Sequence, residues 1–269
     1  MSYPTVSAPY GFRPVNLIGG QVFSGSTREY PIDYNYNTAI YYGDFVQLSS
    51  GFITILANTI TSNVAVGVFL GCSYTDPVSK QKRFSQYYPG NVTAGDIKAI
   101  VCDDPDTVFK AAVVTAAGTP TIASATQSLV GANMAGNTST GSATTGNSAG
   151  GVVAASSSTG NFRVLGLVPD TQVTTGCTYV SGTGSTSIVV SGLTVGQVIP
   201  VGTDMFQLVA ATGQPEWIGV VGTAATVSSA TSQTLTMAAS TTASGTLILV
   251  QSPEVLVKIT FGAHRYYVA

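Results

Sequence analysis

Residues 64–73 read VAVGVFLGCS, and this stretch decides the fold class. Residues 64–70 form the longest apolar run in the chain. A run of that length suits a buried strand and is much too short for a helix that crosses a membrane. A TDP turn follows at residues 75–77, as expected at the end of a strand. The pattern indicates a buried β-strand in a soluble protein.

Short segments of the same kind lie on both sides of this strand. Each is rich in Val, Ile, Tyr or Phe, and turn sequences such as SSG, PG and DDPD separate them. The connections leave no room for crossover helices, so we expect antiparallel pairing in a β-sandwich or barrel. The other predicted strands in this part of the chain are residues 39–48, 52–56, 84–88, 97–102 and 108–114.

The second half of the chain divides into two kinds of β sequence. Residues 162–168 (FRVLGLV) and 254–261 (EVLVKITF) fit strands, and we predict that they share one sheet. Between them, residues 171–250 contain five short β segments separated by Gly and Thr turns. We interpret this unit as a second small β domain that is inserted into the first, with its two ends close together. The core domain then comprises residues 29–170 and 251–269.

Two further segments differ from the predicted strands in composition. Residues 1–28 contain three prolines and four glycines between aromatic side chains, which excludes a helix and predicts an extended N-terminal arm. Such an arm is ordered only where it lies on another surface. Residues 115–160 are nearly uncharged and of low complexity. For this part of the core domain the sequence predicts a long surface loop that contacts a neighbour or is partly disordered.

Charged residues are scarce throughout the chain. Asp, Glu, Lys and Arg make up 8% of the 269 residues, whereas an ordinary soluble domain has roughly 25%. Ten basic and twelve acidic residues give a net charge of -2. We therefore expect no binding of nucleic acid and no basic cluster for an anionic membrane. So few charges suit a protein whose exterior is covered by neighbouring subunits.

Residues that could carry catalysis or bind a metal lack the partners that they would need. A serine nucleophile requires a histidine base, and the one histidine, His264, lies five residues from the end. The acidic cluster CDDPD at residues 102–106 lacks the Gly and the distal Glu of a calcium loop, so we interpret it as a turn between strands. We expect no enzyme activity, no catalytic residue, no metal site and no cofactor.

The three cysteines, Cys72, Cys102 and Cys177, are odd in number and widely spaced. This pattern is typical of buried free thiols in a reducing compartment. The one disulfide that we consider joins Cys72 and Cys102, because both lie in predicted neighbouring strands. The sequence contains no CxxC spacing, so the cysteines do not predict a metal site.

Five stretches form a distinctive combination: PYGFRPVNLIGGQVFSGSTREYPI, YYGDFVQL, VGVFLGCSYTDP with KRFSQYYPG behind it, DDPDTVF and the closing VLVKITFGAHRYY. Together they resemble a family of tailed-bacteriophage virion proteins. The likeness covers residues 9–114, is weaker at residues 131–150 and 162–168, and returns at the C-terminus. Residues 171–250 depart from the family pattern, which passes directly to the last strand. Members of that family are head decoration or cement proteins.

The resemblance implies a virion structural protein on the outer surface of the phage head, made in the host bacterial cytoplasm. It would stabilise the capsid against the pressure of packaged DNA. Its partners would be the major capsid protein and neighbouring copies of itself, with a homotrimer preferred and a dimer as the other option. Capsid contacts are predicted in the arm, because its prolines and aromatics lose little entropy on docking. The predicted contact residues are Tyr3, Pro4, Pro9, Tyr10, Phe12, Arg13 and Pro14.

An alternative function is that of a virion surface adhesin or spike that binds host glycans. Tyrosines of the core domain and Trp217 of the insertion would supply aromatic faces for sugars. Such side chains more often fill cores and protein interfaces. The sequence leaves open whether residues 171–250 face outward or mediate contacts between subunits.

Overall fold

The computed structural model describes residues 6–56, 59–60, 65–115, 121–181, 185–209, 212–241, 245–260 and 264. Within these ranges the regular structure consists of β-strands and two short 3-10 helices. The prediction of an all-β fold is therefore confirmed. The strands form three large sheets and one two-stranded ribbon.

The 3-10 helices cover Gln127–Leu129 and Pro169–Thr171. The strands are β1 (Phe12–Leu17), β2 (Arg28–Pro31), β3 (Phe45–Ser49), β4 (Phe52–Ile55), β5 (Thr59–Ile60), β6 (Gly67–Thr75), β7 (Lys82–Ser85), β8 (Lys98–Cys102), β9 (Thr107–Val114), β10 (Asn133–Asn137), β11 (Gly151–Ser156), β12 (Phe162–Leu167), β13 (Val173–Ser181), β14 (Ser185–Ser191), β15 (Val198–Ile199), β16 (Asp204–Leu208), β17 (Pro215–Val220), β18 (Ala225–Thr226), β19 (Gln233–Thr241), β20 (Gly245–Gln251) and β21 (Glu254–Ile259).

The centre of the core domain is a closed barrel of five strands. The strand order is β9, β11, β10, β12 and β21, and β21 pairs with β9 to close the ring. Only the β9–β11 pair among these five is parallel. β12 and β21 pair along their length, which confirms that these two predicted strands share a sheet. Closure leaves no free edge between the barrel strands, so their backbone groups are paired within the fold.

Part of the N-terminal segment belongs to this sheet, so the prediction of a separate arm is wrong for residues 12–17. β1 pairs antiparallel with β9. Phe12 is 1% exposed, and its ring centroid lies 4.4 Å from that of Phe45 and 4.8 Å from that of Phe162. Phe12, which the sequence predicts as a contact for a partner, lies instead in the chain's own core, because burial of its ring removes a large apolar area from water.

The prediction of a surface loop over residues 115–160 is also wrong for much of that segment. β10 and β11 lie within it and supply two of the five barrel strands. At Gly160 a Cβ atom would lie 2.5 Å from the carbonyl carbon of Met134, so this close approach requires glycine. The small residues of the segment permit close packing of the backbone. Their composition, which suggested a loop, is therefore also compatible with buried strands.

A second antiparallel sheet has the order β2, β8, β6, β3 and β4, with β7 paired to β6. One face contributes Phe45, Val68 and Cys102 to the hydrophobic core of the barrel. Its other face packs in a separate core with Ile40 and Tyr88, which are fully buried and bridge to each other. The sheet is thus covered on both faces, which accounts for the continuous apolar run of β6.

The third sheet has the order β17, β16, β20, β13, β14 and β19. A separate two-stranded ribbon is formed by β15 and β18, which come from the same part of the chain. All of these strands fall between Val173 and Gln251, and we call them the inserted module. The module has a hydrophobic core of its own. Val173 and Gln251 are direct partners in the β13–β20 ladder, so the two ends of the module are adjacent, as the sequence predicts.

The inserted module contacts the core domain around Ser124. The Ser124 amide donates to the carbonyl of Val201 at 2.9 Å, and its hydroxyl accepts from the Ser252 amide at 2.8 Å. Gly202 has a φ of 82°, and a Cβ atom there would collide with the Ser124 carbonyl. A backbone contact this close fixes the module against the segment that leads into the Gln127–Leu129 helix.

All three cysteines are buried and free, as the sequence predicts. Cys72 and Cys102, the one pair that the sequence allowed, belong to different hydrophobic cores and do not form a disulfide. Burial raises the pKa of Cys72 to about 12 and that of Cys102 and Cys177 to about 11. The thiols are therefore protonated and unreactive at neutral pH.

Candidate functional site

Five of the seven predicted contact residues lie in the described part of the chain, and Tyr3 and Pro4 lie outside it. Phe12 is buried in the barrel core, so the fold does not present it to a partner. The others are partly exposed, namely Pro9, Tyr10, Arg13 and Pro14. Their neighbours show what holds this N-terminal segment, residues 6–17, in place.

Tyr10 is tied to the last strand of the barrel. Its hydroxyl donates a hydrogen bond to Oε1 of Glu254, and Oε2 of Glu254 lies 3.5 Å from Nζ of Lys110. Glu254 is 2% exposed, so these neighbours supply the polar contacts that it loses from water. Burial, followed by the interaction with Glu254, raises the pKa of Tyr10 far above its ordinary value. Tyr10 therefore stays neutral and acts as a permanent donor.

Arg13 also interacts within its own chain. Its guanidinium lies 4.0 Å from the centroid of the Tyr42 ring, and Nη2 donates to Oδ1 of Asn147 at 2.8 Å. Burial lowers the pKa of Arg13, although an arginine remains charged at any ordinary pH. The hydrogen bond to Asn147 joins residues 134 positions apart, so the sequence pattern alone could not reveal it. Arg13 and Tyr10 together hold the N-terminal segment in place.

The most exposed large apolar side chains lie elsewhere, on the hairpin of β6 and β7. We call residues 75–85 the β6–β7 hairpin. Val78 is 90% exposed and Phe84 is 79% exposed, the two highest values among large hydrophobic residues in the described ranges. Three of the ten basic residues of the chain lie on the same hairpin, namely Lys80, Lys82 and Arg83. The hairpin thus presents apolar side chains among charged ones.

Asp76 holds the turn of this hairpin. Its Oδ1 accepts hydrogen bonds from the amides of Val78 at 2.8 Å and Ser79 at 3.1 Å, and Oδ2 pairs with Nη1 of Arg83 at 2.9 Å. Lys80 takes the left-handed conformation with a φ of 58°. The two backbone hydrogen bonds are the main reason that the pKa of Asp76 is lowered. Asp76 is therefore ionised at neutral pH and fixes the tip that carries Val78.

Asp96 braces the base of the hairpin. Its Oδ2 accepts from Nζ of Lys82 and from Oγ1 of Thr75, both at 2.8 Å, and its Oδ1 accepts from the Thr75 amide at 2.9 Å. The hydrogen bond from Lys82, followed by those from Thr75, lowers the pKa of Asp96. The two aspartates hold the hairpin in one conformation while Val78 and Phe84 remain in solvent. A preordered surface loses little entropy when a partner covers it.

Sequence reasoning missed the hairpin as a contact surface. It predicted a strand at residues 84–88, whereas β7 covers Lys82–Ser85 and pairs only with β6. A signal was present in KRFS, where basic residues flank one aromatic residue directly after a turn. Lysine on an edge strand is typical of a strand whose side chains face water. That pattern would have placed Phe84 outside the core.

The acidic cluster at residues 102–106 is a turn, as predicted. Asp103 pairs with Nε of Arg28 at 3.2 Å and accepts from the Tyr30 hydroxyl at 2.7 Å, and Oδ1 of Asp104 accepts from the Asp106 amide. Within the described ranges, His, Cys, Asp and Glu side chains do not gather in threes as a metal ion would require. Asp103 and Asp104 therefore stabilise the turn between β8 and β9.

Searches against protein-family models, curated proteins and solved structures gave no match to this chain. The part of the chain that the structure describes contains no helix with the length and apolar character needed to cross a membrane. Function must therefore be inferred from the surfaces of the molecule itself, of which the β6–β7 hairpin is the most distinctive.

Proposed function

We propose that this chain is a virion structural protein, a head decoration or cement protein that binds the outside of a phage major capsid protein lattice. The observation that carries the proposal is the β6–β7 hairpin with its exposed Val78 and Phe84. Large apolar side chains held in water on an ordered hairpin gain free energy when a partner covers them. The resemblance of the sequence to phage decoration proteins supplies the class of that partner.

The distribution of charge also supports a role as a subunit of an assembly. Residues 171–250 contain no Lys or Arg, and their two acidic residues are Asp204 and Glu216. Asp204 is 5% exposed, which leaves Glu216 as the charge that the inserted module presents to solvent. A freely dissolved monomer relies on scattered surface charge to avoid association. A protein fixed on a capsid lattice has less need of it.

The proposed mechanism is mechanical and needs no catalytic residue. Packaged DNA pushes capsomers apart, and a protein that bridges two or three of them adds interface that must break before the shell opens. A contact on the order of 1,000 Å² is sufficient when it is repeated over the lattice. Val78 and Phe84 would form the apolar centre of that contact. Lys80, Lys82 and Arg83 would form its polar rim.

Binding to phage heads tests the proposal directly. Purified protein is mixed with heads that lack it and sedimented, in parallel with the double variant Val78→Ser plus Phe84→Ser. Val195→Ser is the matched control, because Val195 is 60% exposed but lies in the inserted module. We expect wild type and control to co-sediment, and the double variant to bind at least about tenfold more weakly.

The same experiment can overturn the proposal. It is wrong if the wild-type protein fails to co-sediment, or if the double variant binds as tightly as wild type. Because all three side chains are exposed, each substitution should change the free energy of unfolding by no more than about 0.5 kcal/mol. A denaturation curve for each variant therefore separates lost binding from lost folding.

The proposed assembly state is a homotrimer at local three-fold positions of the lattice, with a dimer at two-fold positions as the other option. Mass measurement of the purified protein and of the protein released from heads distinguishes these states. A monomer in both samples would remove self-association from the proposal and leave the capsid contact to the hairpin alone.

A further inference from the structure

A cleft of about 350 Å³ opens where the inserted module meets the core domain. It lies between the Gln127–Leu129 helix on one side and strands β16 and β17 on the other. The cleft shares no residue with the β6–β7 hairpin. The residues that line it are Thr126, Gln127, Ser128, Asp204, Phe206 and Trp217.

One wall of the cleft is aromatic. Phe206 and Trp217 are direct partners in the β16–β17 ladder. The register shifts immediately beside this pair, between Met205 and Phe206, as at a β-bulge. Bulges near the edge of a sheet commonly redirect a side chain toward a functional surface. Trp217, on edge strand β17, keeps 55% of its surface exposed.

Asp204 fixes the indole and joins the two walls. Nε1 of Trp217 donates to Oδ1 of Asp204 at 2.9 Å, and the backbone amide of Gln127 donates to the same carboxyl group. Asp204 is 5% exposed, so its carboxyl group is hydrogen-bonded to these donors and has little contact with solvent. With its N–H already engaged, Trp217 offers a ligand the face of its ring. Its orientation is set before a ligand arrives.

The opposite wall, formed by Thr126, Gln127 and Ser128, is uncharged. Gln127 and Ser128 are exposed, and the hydroxyl oxygens of Thr126 and Ser128 lie 2.6 Å apart. An amide and two hydroxyls can both donate and accept hydrogen bonds. None of the lining residues is basic, and Glu216 lies next to Trp217 in the sequence. An anionic ligand would therefore meet no opposite charge in the cleft.

We propose that this cleft binds a neutral saccharide. A pyranose ring has an apolar face of C–H groups, which fits the rings of Trp217 and Phe206, and an edge of hydroxyls, which fits Gln127 and Ser128. An apolar peptide side chain would use the aromatic wall and leave the exposed amide of Gln127 without a partner from the ligand. A sugar can stack on the aromatic wall and also hydrogen-bond to that amide. The site does not depend on capsid binding by the hairpin.

Trp217 is the only tryptophan in the chain, so tryptophan emission, excited selectively over that of the tyrosines, reports on this cleft alone. The full-length protein is titrated with maltohexaose and with the hexamer of N-acetylglucosamine, with polysialic acid as the anionic control and a proline-rich decapeptide as the apolar competitor. We expect a saturable change in emission with at least one neutral oligosaccharide at millimolar concentration. Neither the polyanion nor the peptide should produce it.

Variants then connect the signal to the proposed contacts. Gln127→Ala leaves the fluorophore in place and should weaken saccharide binding about tenfold. Trp217→Ala, followed by calorimetry, should weaken binding by at least that factor, and Trp217→Phe should recover part of the loss. Val195→Ser, in the same module but outside the cleft, should bind as wild type does.

Three results would overturn the saccharide site. They are the lack of a saturable response to either neutral oligosaccharide, binding of the peptide in their place, and unchanged binding in both Gln127→Ala and Trp217→Ala. None of these results depends on phage heads. Failure of this proposal and failure of the capsid role can therefore be told apart.

Discussion

The N-terminal segment and the β6–β7 hairpin both place aromatic residues beside basic ones, yet the fold treats them in opposite ways. Phe12 is 1% exposed and lies among Phe45, Phe109 and Phe162, whereas Phe84 is 79% exposed. Among the described residues, β1 and β7 each pair with one strand, β9 and β6 respectively. The side chain of Phe12 is covered by Phe45 from the second sheet, whereas Phe84 faces solvent. An aromatic residue beside a cation therefore does not identify a contact surface. Whether another layer packs over its face of the sheet does.

The free energies of unfolding of Phe12→Ala and Phe84→Ala test this difference most directly. Phe12→Ala removes a ring from the barrel core and should lower the free energy of unfolding by about 3–5 kcal/mol. Phe84→Ala removes the same ring from solvent and should change it by no more than about 0.5 kcal/mol. Denaturant titration followed by circular dichroism measures both. Similar losses in the two variants would contradict the assignment of Phe12 to the core.

The stability of the buried region around Phe12 also depends on pH, through the carboxyl group of Asp44. Asp44 lies beside Gly43, whose carbonyl accepts the Phe12 amide, and its own Oδ2 accepts the Tyr41 amide at 2.8 Å. Burial raises the pKa of Asp44 from 3.8 to about 6, against the lowering effect of hydrogen bonds with Ser148 and Tyr41. The folded state therefore holds this proton more tightly than the unfolded chain does.

Because the proton is held more tightly in the folded state, protonation of Asp44 stabilises the fold. The contribution of Asp44 to stability is complete below about pH 4 and is lost as the pH rises through about 6. At about 1.4 kcal/mol per pKa unit, the loss is on the order of 3 kcal/mol. Asp44→Asn should abolish it, as measured by denaturation at a series of pH values. Asp76 and Asp96 on the hairpin have lowered pKa values and act in the opposite direction, losing their contribution as the pH falls.

Tyr10→Phe should have a smaller effect of about 1 kcal/mol. It removes the hydrogen bond to Glu254 and keeps the ring, while Lys110 remains beside the carboxylate. Amide hydrogen exchange in β1 should accelerate, because the N-terminal segment loses one of the two side-chain hydrogen bonds, from Tyr10 and Arg13, that help to hold it. Exchange in β6 and β7 serves as the internal control. Equal acceleration there would contradict a local role for Tyr10.

Asp76→Asn should have the smallest effect on folding and a measurable effect on binding. The variant loses the ion pair with Arg83 at the exposed turn, so the tip that carries Val78 becomes less ordered. We expect weaker co-sedimentation with phage heads and an unchanged denaturation midpoint. Asp170→Asn, which alters an acid in the Pro169–Thr171 helix, is the matched control. A fall in binding of both variants would point to net charge and not to the turn.

Several features of the fold were predictable because they depend on local pattern. Alternation of Val, Ile, Tyr and Phe with turn residues indicated strands, and two such strands flanking residues 171–250 indicated an insertion with adjacent ends. The role of residues 115–160 was not predictable in this way. β11 runs parallel to β9, and that pairing joins residues about forty positions apart in a segment of small side chains. Composition carries no signal for such a contact.

The candidate sites were likewise predictable from the sequence only in part. The exposed position of Phe84 could have been anticipated from the basic residues before it, and Trp217 stood out as the single tryptophan. Their surroundings could not. The cleft at Trp217 needs Gln127 from the core domain and Asp204 from the inserted module. The distance between these residues along the chain is bridged only when the module docks at Ser124.

The sequence by itself determined that this protein is built from strands and carries few charges, because strand propensity and composition are properties of short segments. Tertiary structure decided which aromatic residues are buried, where the barrel closes and which side chains reach a partner. Those outcomes depend on pairing between distant residues, as when Tyr10 meets Glu254 at the far end of the chain. The free energy of such a contact exists only after the intervening chain has folded.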